Sequence, residues 1–312
     1  MPSQLVQTFP EVESTYKARE VEGIVDLYFY RPLGFRLAQF FARLKMTPSQ
    51  VTFIGACFGI AAGHLYFYWN LATNVVGMVF HVIANLFDNA DGQLARLTNK
   101  KSRMGRVIDS FADHLIFTSI YLHLALRYLL AGASPAVGLL ALAAALSHAW
   151  QASAADYFRN SYLLFVKGRL RADADFSSDL RGDYRQLSWP SHPWKKFLLA
   201  LYLRSTQLQE FFSPNLSHLR NASVRGESAT QIPSWFRRRY EESARPMLRW
   251  WGWSMTNTRM VLLFFFLFIG KPIWYFWLEL TVFNLLVGLL VLQQEKISRS
   301  LLEFASVRPV SA

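Results

Sequence analysis

Apolar residues run almost unbroken through six stretches of the chain, at about 51 to 69, 73 to 95, 109 to 131, 136 to 158, 256 to 269 and 273 to 293. About 20 apolar residues in a helix match the hydrocarbon thickness of a bilayer, so each stretch predicts a spanning helix. The fifth is short unless it begins before Thr256. Only Gly270, Lys271 and Pro272 separate it from the sixth, which predicts a tight turn at one membrane face. The expectation is an all-α, polytopic membrane protein with six transmembrane helices.

Two further segments have amphipathic character. Tyr28 to Leu44 mixes arginines with aromatics and leucines, as an N-terminal interfacial helix does when its cationic ends reach lipid phosphate. Trp194, Phe197, Leu198, Leu201, Tyr202, Leu208, Phe211 and Phe212 recur at roughly helical spacing, which suits a helix on the membrane surface and a packing helix equally well. Arg249, Trp250, Trp251 and Trp253 have the chemistry of headgroup-level anchors. The expected organisation is a cytoplasmic N-terminal segment (1–50), catalytic transmembrane helices 1 to 4 (51–165), a basic cytoplasmic connection with amphipathic helices (166–255), and transmembrane helices 5 and 6 with a tail (256–312).

Composition agrees, since 52% of the 312 residues are hydrophobic, far more than a soluble core needs. The formal charge of +12 is compatible with nucleic-acid binding, but its distribution points to lipid headgroups instead. Six basic residues precede the first apolar stretch, and Arg96, Lys100, Lys101, Arg103 and Arg106 crowd the second connection, whereas the first and third connections have none. The positive-inside bias therefore puts both termini and the second connection on the cytoplasmic side, with Arg127 and Lys271 as two exceptions. The first twenty residues contain no apolar run of a secretory signal. A single cysteine, Cys57, excludes an internal disulfide and any CxxC site, and is read as packing.

The chemistry concentrates in FDNADGQLARLTNKKSRMGRVIDSFADH, Phe87 to His114. Asp88 and Asp91 are three apart and Asp109 and Asp113 four apart, so each pair shares a helical face, and a short basic connection can bring the pairs together. Any one of these aspartates alone reads as a cap or a solvated charge. Four converging near a bilayer repel one another unless divalent cations neutralise them or some are protonated. An all-oxygen donor set favours Mg²⁺, Mn²⁺ or Ca²⁺, and such ions clamp diphosphates. Gly92 and Ala95 leave the adjacent helix surface bare for a flat ligand such as a nucleobase or ribose.

The pattern Asp88-x2-Asp91-Gly92-x2-Ala95-Arg96-x8-Gly105-x3-Asp109-x3-Asp113 resembles the complete signature of the CDP-alcohol phosphotransferases, with every fixed position filled. The likeness covers the first four helices, and the family's usual six-helix arrangement matches the hydropathy, although the connection from 166 to 255 is longer than expected. The resemblance implies a two-metal site, with Mg²⁺ or Mn²⁺ held by Asp88, Asp91 and Asp109. It implies that Asp113 shares a metal and serves as general base, that Gly92, Ala95, Arg96 and Gly105 line the CDP pocket, and that the protein is a homodimer. Family members often open the first helix with Pro-Asn-x-x-Thr; here Pro48-Ser49-Gln50-Val51-Thr52 keeps the proline and threonine, which brings Thr52 into the nucleotide pocket, but has Ser49 for asparagine. Pro48 equally suits the first turn of any helix, with Thr47 as its cap.

The expected reaction is metal-dependent transfer of a phosphatidyl group from CDP-diacylglycerol to a small polar or phosphorylated alcohol, with release of CMP. The signature is equally compatible with transfer of a CDP-bound headgroup to diacylglycerol or ceramide. Arg159 and Arg259 are the candidate cations for a phosphorylated acceptor, and each equally suits a charge reaching the interface. A divalent-metal transporter would place its carboxylates nearer the bilayer midplane. His64, His81, Asn85, His123, His148, Glu279 and Asn284 read as polar groups bonding to other helices inside the bundle.

Overall fold

The computed structural model describes residues 19–168, 175–224 and 232–307. Residues 1–18 of the expected N-terminal segment, 169–174 and 225–231 of the connection, and 308–312 of the tail lie outside the described residues. Every regular element among the described residues is helical. A π-helical turn, Asp26–Tyr30, leads into α1 (Arg31–Arg43); then come α2 (Pro48–Leu65), α3 (Leu71–Leu97), α4 (Arg103–Leu129) and α5 (Ala136–Tyr162), which runs on through a π turn to Lys167. The long connection holds α6 (Ser177–Gln186), α7 (Pro193–Phe212), α8 (Pro214–Val224) and α9 (Ser234–Trp253). The chain finishes with α10 (Thr256–Phe268), α11 (Ile273–Leu278), a π turn (Glu279–Phe283) and α12 (Asn284–Val307).

All six apolar stretches thus fall on helices, but only three runs among the described residues, Leu71–Leu97, Ala136–Lys167 and Ile273–Phe304, are long and apolar enough to cross a membrane. The others fall short for reasons visible in their composition. Helix α10 has 13 residues, α2 opens with Pro-Ser-Gln and spends three positions on glycine, and α4 carries Arg103, Arg106, Asp109 and Asp113 in its first three turns.

The helix ends follow local chemistry. Thr47 and Gln50 make a capping box at the start of α2: Gln50 N–H donates to Thr47 Oγ1 at 3.3 Å, and Thr47 N–H to Gln50 Oε1 at 2.8 Å. Helix α3 ends in a Schellman turn, with Asn99 in the left-handed region (φ 52°) and Lys100 N–H donating to the Ala95 carbonyl at 2.9 Å. Ser102 then caps α4, its Oγ accepting from Gly105 N–H at 3.0 Å. These two caps make the turn between α3 and α4 short and determinate.

The described residues divide into two compact units, one within residues 1–148 and 257–280, the other within 149–256 and 281–312. In the first, α2 packs closely because it carries small residues on its contact faces. A Cβ on Gly55 would come 2.8 Å from Phe87 Cβ, one on Gly59 2.5 Å from Ile116, and one on Gly63 2.5 Å from Ser119 Oγ and 2.8 Å from the Ile120 backbone nitrogen. Gly55-x3-Gly59-x3-Gly63 therefore lets α3 and α4 approach the α2 backbone, the small-residue packing favoured where no water drives helices together. The core of this unit gathers Tyr66, Met78, Ile120, Tyr121, Leu124, Leu263, Leu267 and Phe276. Helix α1 joins it through Ala38 and Phe41 against Val51, Ala90 and Leu94.

Arg127, an exception to the charge bias, is buried, donates to the Tyr66 carbonyl at 3.1 Å and lies 4.2 Å over the Trp69 ring. It thus closes the last turn of α2, where a cation suits both the open carbonyls and the helix dipole. Cys57, expected as packing, is exposed on α2.

In the second unit, carboxylates from one helix cap the start of another. Glu210 accepts from Ser177 N–H at 3.0 Å at the start of α6, and Glu295 accepts from Asn215 and Leu216 N–H at 2.8 and 3.1 Å at the start of α8. Trp251 stacks on Phe158 at 5.1 Å, and Arg220 lies between the Tyr157 and Phe176 rings at 4.3 and 4.9 Å. The basic connection is therefore helical and packs in this unit against α5 and α12.

Candidate active site

The first unit brings the end of α3 beside the start of α4. Asp88 and Asp91 project from α3 and Asp109 from α4, and one carboxylate oxygen of each lies within 4.8 Å of the others. Ligand oxygens on opposite sides of one hard cation stand roughly 4–5 Å apart, so this donor set fits a Mg²⁺, Mn²⁺ or Ca²⁺ ion in both chemistry and spacing. Asp113, one turn further along the same face of α4, stands outside this three-carboxylate group.

Asp91 is buried, while Asp88 and Asp109 are partly exposed. Asp88 and Asp109 both repel it, and Arg96 attracts it. A buried carboxylate repelled by two neighbours costs stability unless a cation neutralises the group or one member is protonated, so the arrangement suits a divalent ion. The Thr52 hydroxyl hydrogen-bonds Asp91 and also lies 3.0 Å from the Pro48 carbonyl. A hydroxyl has one proton, so Thr52 serves one of these acceptors at a time. Thr52, expected to line the nucleotide pocket, is thus engaged with a candidate metal ligand.

The other expected pocket residues are distributed as follows. The Arg96 guanidinium lies over Gly92: a Cβ there would meet Arg96 at 3.4 Å, an ordinary contact. The surface expected to be bare therefore presents a cation beside the carboxylates. Ala95 is part-buried next to it and supplies the carbonyl that closes the Schellman turn. Gly105 sits under the Ser102 cap, 3.1 Å from its oxygen if given a Cβ, which is a local reason for glycine at this position.

One turn before Asp88, Asn85 donates to Asn257 Oδ1 at 2.8 Å and accepts from Asn89 through its carbonyl at 2.9 Å. Polar atoms inside a bundle are expected to pair in this way.

Arg259 forms a buried ion pair with Glu279, the side chains being 2% and 0% exposed. His148 Nδ1 lies 3.5 Å from the other Glu279 oxygen and 3.1 Å from the Tyr121 hydroxyl, and the His148 ring is 4.2 Å from that of Phe117. Asp113, Phe117 and Tyr121 follow one another at four-residue steps on one face of α4, so this network lies one to two turns along that face from Asp113. The sequence marked His148 and Glu279 as separate polar exceptions and Arg259 as a candidate acceptor cation; the pairing of Glu279 with Arg259 and His148, across 20 and 131 positions, left no local signal. Arg159, in the second unit, pairs with Asp156 at 2.9 Å at the protein surface.

Comparison with known proteins places the carboxylate cluster inside a matched region. Residues 45–165 match the family model described as CDP-alcohol phosphatidyltransferase. The chain is similar to a protein of Pyrococcus horikoshii named archaetidylinositol phosphate synthase, with 32% identity over 91 residues, covering 29% of this chain and 47% of that protein. It is similar also to an uncharacterized protein of Aquifex aeolicus, with 31% identity over 101 residues, covering 31% and 50% respectively. The chain spans about half the length of the curated relatives it matches.

Proposed function

From the CDP-alcohol phosphatidyltransferase domain that the chain carries over residues 45–165, we propose that the protein transfers a phosphatidyl group from CDP-diacylglycerol to a small polar or phosphorylated alcohol, releasing CMP. The observation that carries this reading is the cluster of Asp88, Asp91 and Asp109, one buried and two part-buried, at the facing ends of α3 and α4. The name of the Pyrococcus relative favours an inositol-phosphate-like acceptor.

Asp88, Asp91 and Asp109 would hold the Mg²⁺ or Mn²⁺ ions of a two-metal site, which Asp113 would complete. Bound there, the cations supply charge neutralisation for the diphosphate and the departing phosphate. Gly92, Ala95, Arg96, Gly105 and Thr52 form the CDP side of the pocket, where Arg96 provides a fixed positive charge. Asp113 takes the proton from the acceptor hydroxyl. The freed oxygen bonds to the phosphorus farther from cytidine, the bond from that phosphorus to the bridging oxygen breaks, and CMP leaves with the electron pair. Arg259, in the same unit as the aspartates, orients the acceptor. The chain crosses the membrane six times, with α1 at the interface and both termini and the site on the cytoplasmic side, and works as a homodimer.

CMP release by purified protein in lipid, with Mg²⁺ or Mn²⁺, a panel of CDP donors and alcohols, and Asp113→Asn alongside, tests this reading. Release that needs CDP-diacylglycerol, one particular alcohol, metal and Asp113 supports it. Release only with a CDP-headgroup and a lipid alcohol overturns the donor assignment. No release from folded, metal-loaded protein overturns the enzyme reading.

A further inference from the structure

Helix α7 carries Trp194, Phe197, Leu201, Leu208, Phe211 and Phe212 on its surface, each between 40% and 74% exposed. At about 100° per residue these six positions fall within an arc of roughly 100°, one continuous apolar face. The other side of the helix, with Leu198, Leu199, Leu203 and Thr206, is buried in its own unit. An apolar ridge of this size left uncovered marks a surface that meets something other than water.

The second unit fixes where that ridge sits along a spanning helix. Gln209 Nε2 donates to the Ser153 carbonyl and hydroxyl of α5 at 3.1 and 2.9 Å, and Phe212 meets Trp150 at 5.8 Å. Trp150 and Ser153 lie in the last part of the apolar stretch of α5, and Asp156 and Arg159 follow within two turns of Ser153. Helix α7 is therefore tied to α5 where that helix passes from hydrocarbon to polar surroundings. Arg204 is exposed inside the apolar arc itself. Covered by protein, its charge would need a partner carboxylate; at a bilayer surface its stem lies along the acyl chains and its head reaches phosphate.

We propose that the exposed face of α7 lies in the headgroup region of the bilayer, a phosphate-bearing lipid surface being its partner. The ridge then enters the boundary of the acyl chains and Arg204 faces lipid phosphate, so the inserted connection between α5 and α10 is a membrane-seated platform. This inference rests on α5 being a spanning helix and stands apart from the catalytic reading.

The test uses the full chain with Cys57→Ala, in nanodiscs of phosphatidylcholine and phosphatidylglycerol, with nitroxides on Phe197→Cys, Leu201→Cys or Leu208→Cys. Ser178→Cys on α6, exposed and outside the arc, is the aqueous control. The unfolding midpoint of each labelled protein, matched to the parent, certifies the fold. The expected result is collision with oxygen in excess of collision with a nickel chelate at all three arc positions, at a depth of roughly 5–10 Å below the phosphates, and the reverse at Ser178. Arc labels as open to nickel as the control would overturn the proposal. Labels closed to both reagents would overturn it too, since a second copy or another protein would then cover the face.

Discussion

The buried pair of Arg259 and Glu279 offers a way to separate a structural charge from one that holds substrate. Both side chains have lost their water, at 2% and 0% exposure, and Glu279 also faces His148 at 3.5 Å. Removing one partner strands the other charge, which costs about 3–5 kcal/mol in buried pairs, whereas replacing both with apolar side chains of similar volume is close to neutral. For Arg259→Met the structure therefore calls for a drop in apparent unfolding temperature on the order of 10 °C. Glu279→Met should lose a similar amount by leaving the guanidinium stranded, and the double variant should regain most of it. The assay is thermal unfolding of reconstituted protein followed by tryptophan fluorescence, with CMP release measured on the same samples. If Arg259 also orients the acceptor, the double variant stays impaired through a raised KM for the alcohol after its stability has returned. Single variants that unfold at the parental temperature would refute the reasoning, because no stranded charge would then have been created.

Three further outcomes are expected. Thr52→Val removes the hydroxyl that hydrogen-bonds Asp91, so Mn²⁺ affinity, titrated by electron paramagnetic resonance without donor, should weaken roughly 10–100-fold; unchanged affinity counts against Asp91 as a ligand. Gly63→Ala puts a Cβ 2.8 Å from the Ile120 backbone nitrogen, which cannot yield as a flexible side chain can, and should destabilise by about 1–3 kcal/mol in the same melts. Gly138→Ala, 3.5 Å from Leu129 Cδ1, should cost nothing and serves as its control. Asp113→Asn should slow turnover by about 10²–10⁴-fold while lowering Mn²⁺ affinity less than Asp91→Asn does; an equal loss of affinity would make Asp113 a ligand of the same rank.

What the sequence by itself determined here is local. The spacing of Asp88, Asp91, Asp109 and Asp113 is readable because helical geometry puts residues three and four apart on one face whatever surrounds them. The Thr47 cap and the tight connection before Ser102 are likewise decided within a few residues, by hydrogen bonds the helix ends need. Hydropathy located every helix that carries an apolar stretch, because burial in lipid or core asks for the same residues. Partnership between distant residues was a matter for the tertiary structure. Which of four aspartates converge, that Thr52 meets Asp91, that Arg259 belongs to Glu279, and that Gly55, Gly59 and Gly63 are contact points all depend on the rotation and crossing of helices about one another. The face α7 leaves open depended on the same thing: its apolar residues line both sides of the helix, and only packing against its own unit decided which were covered.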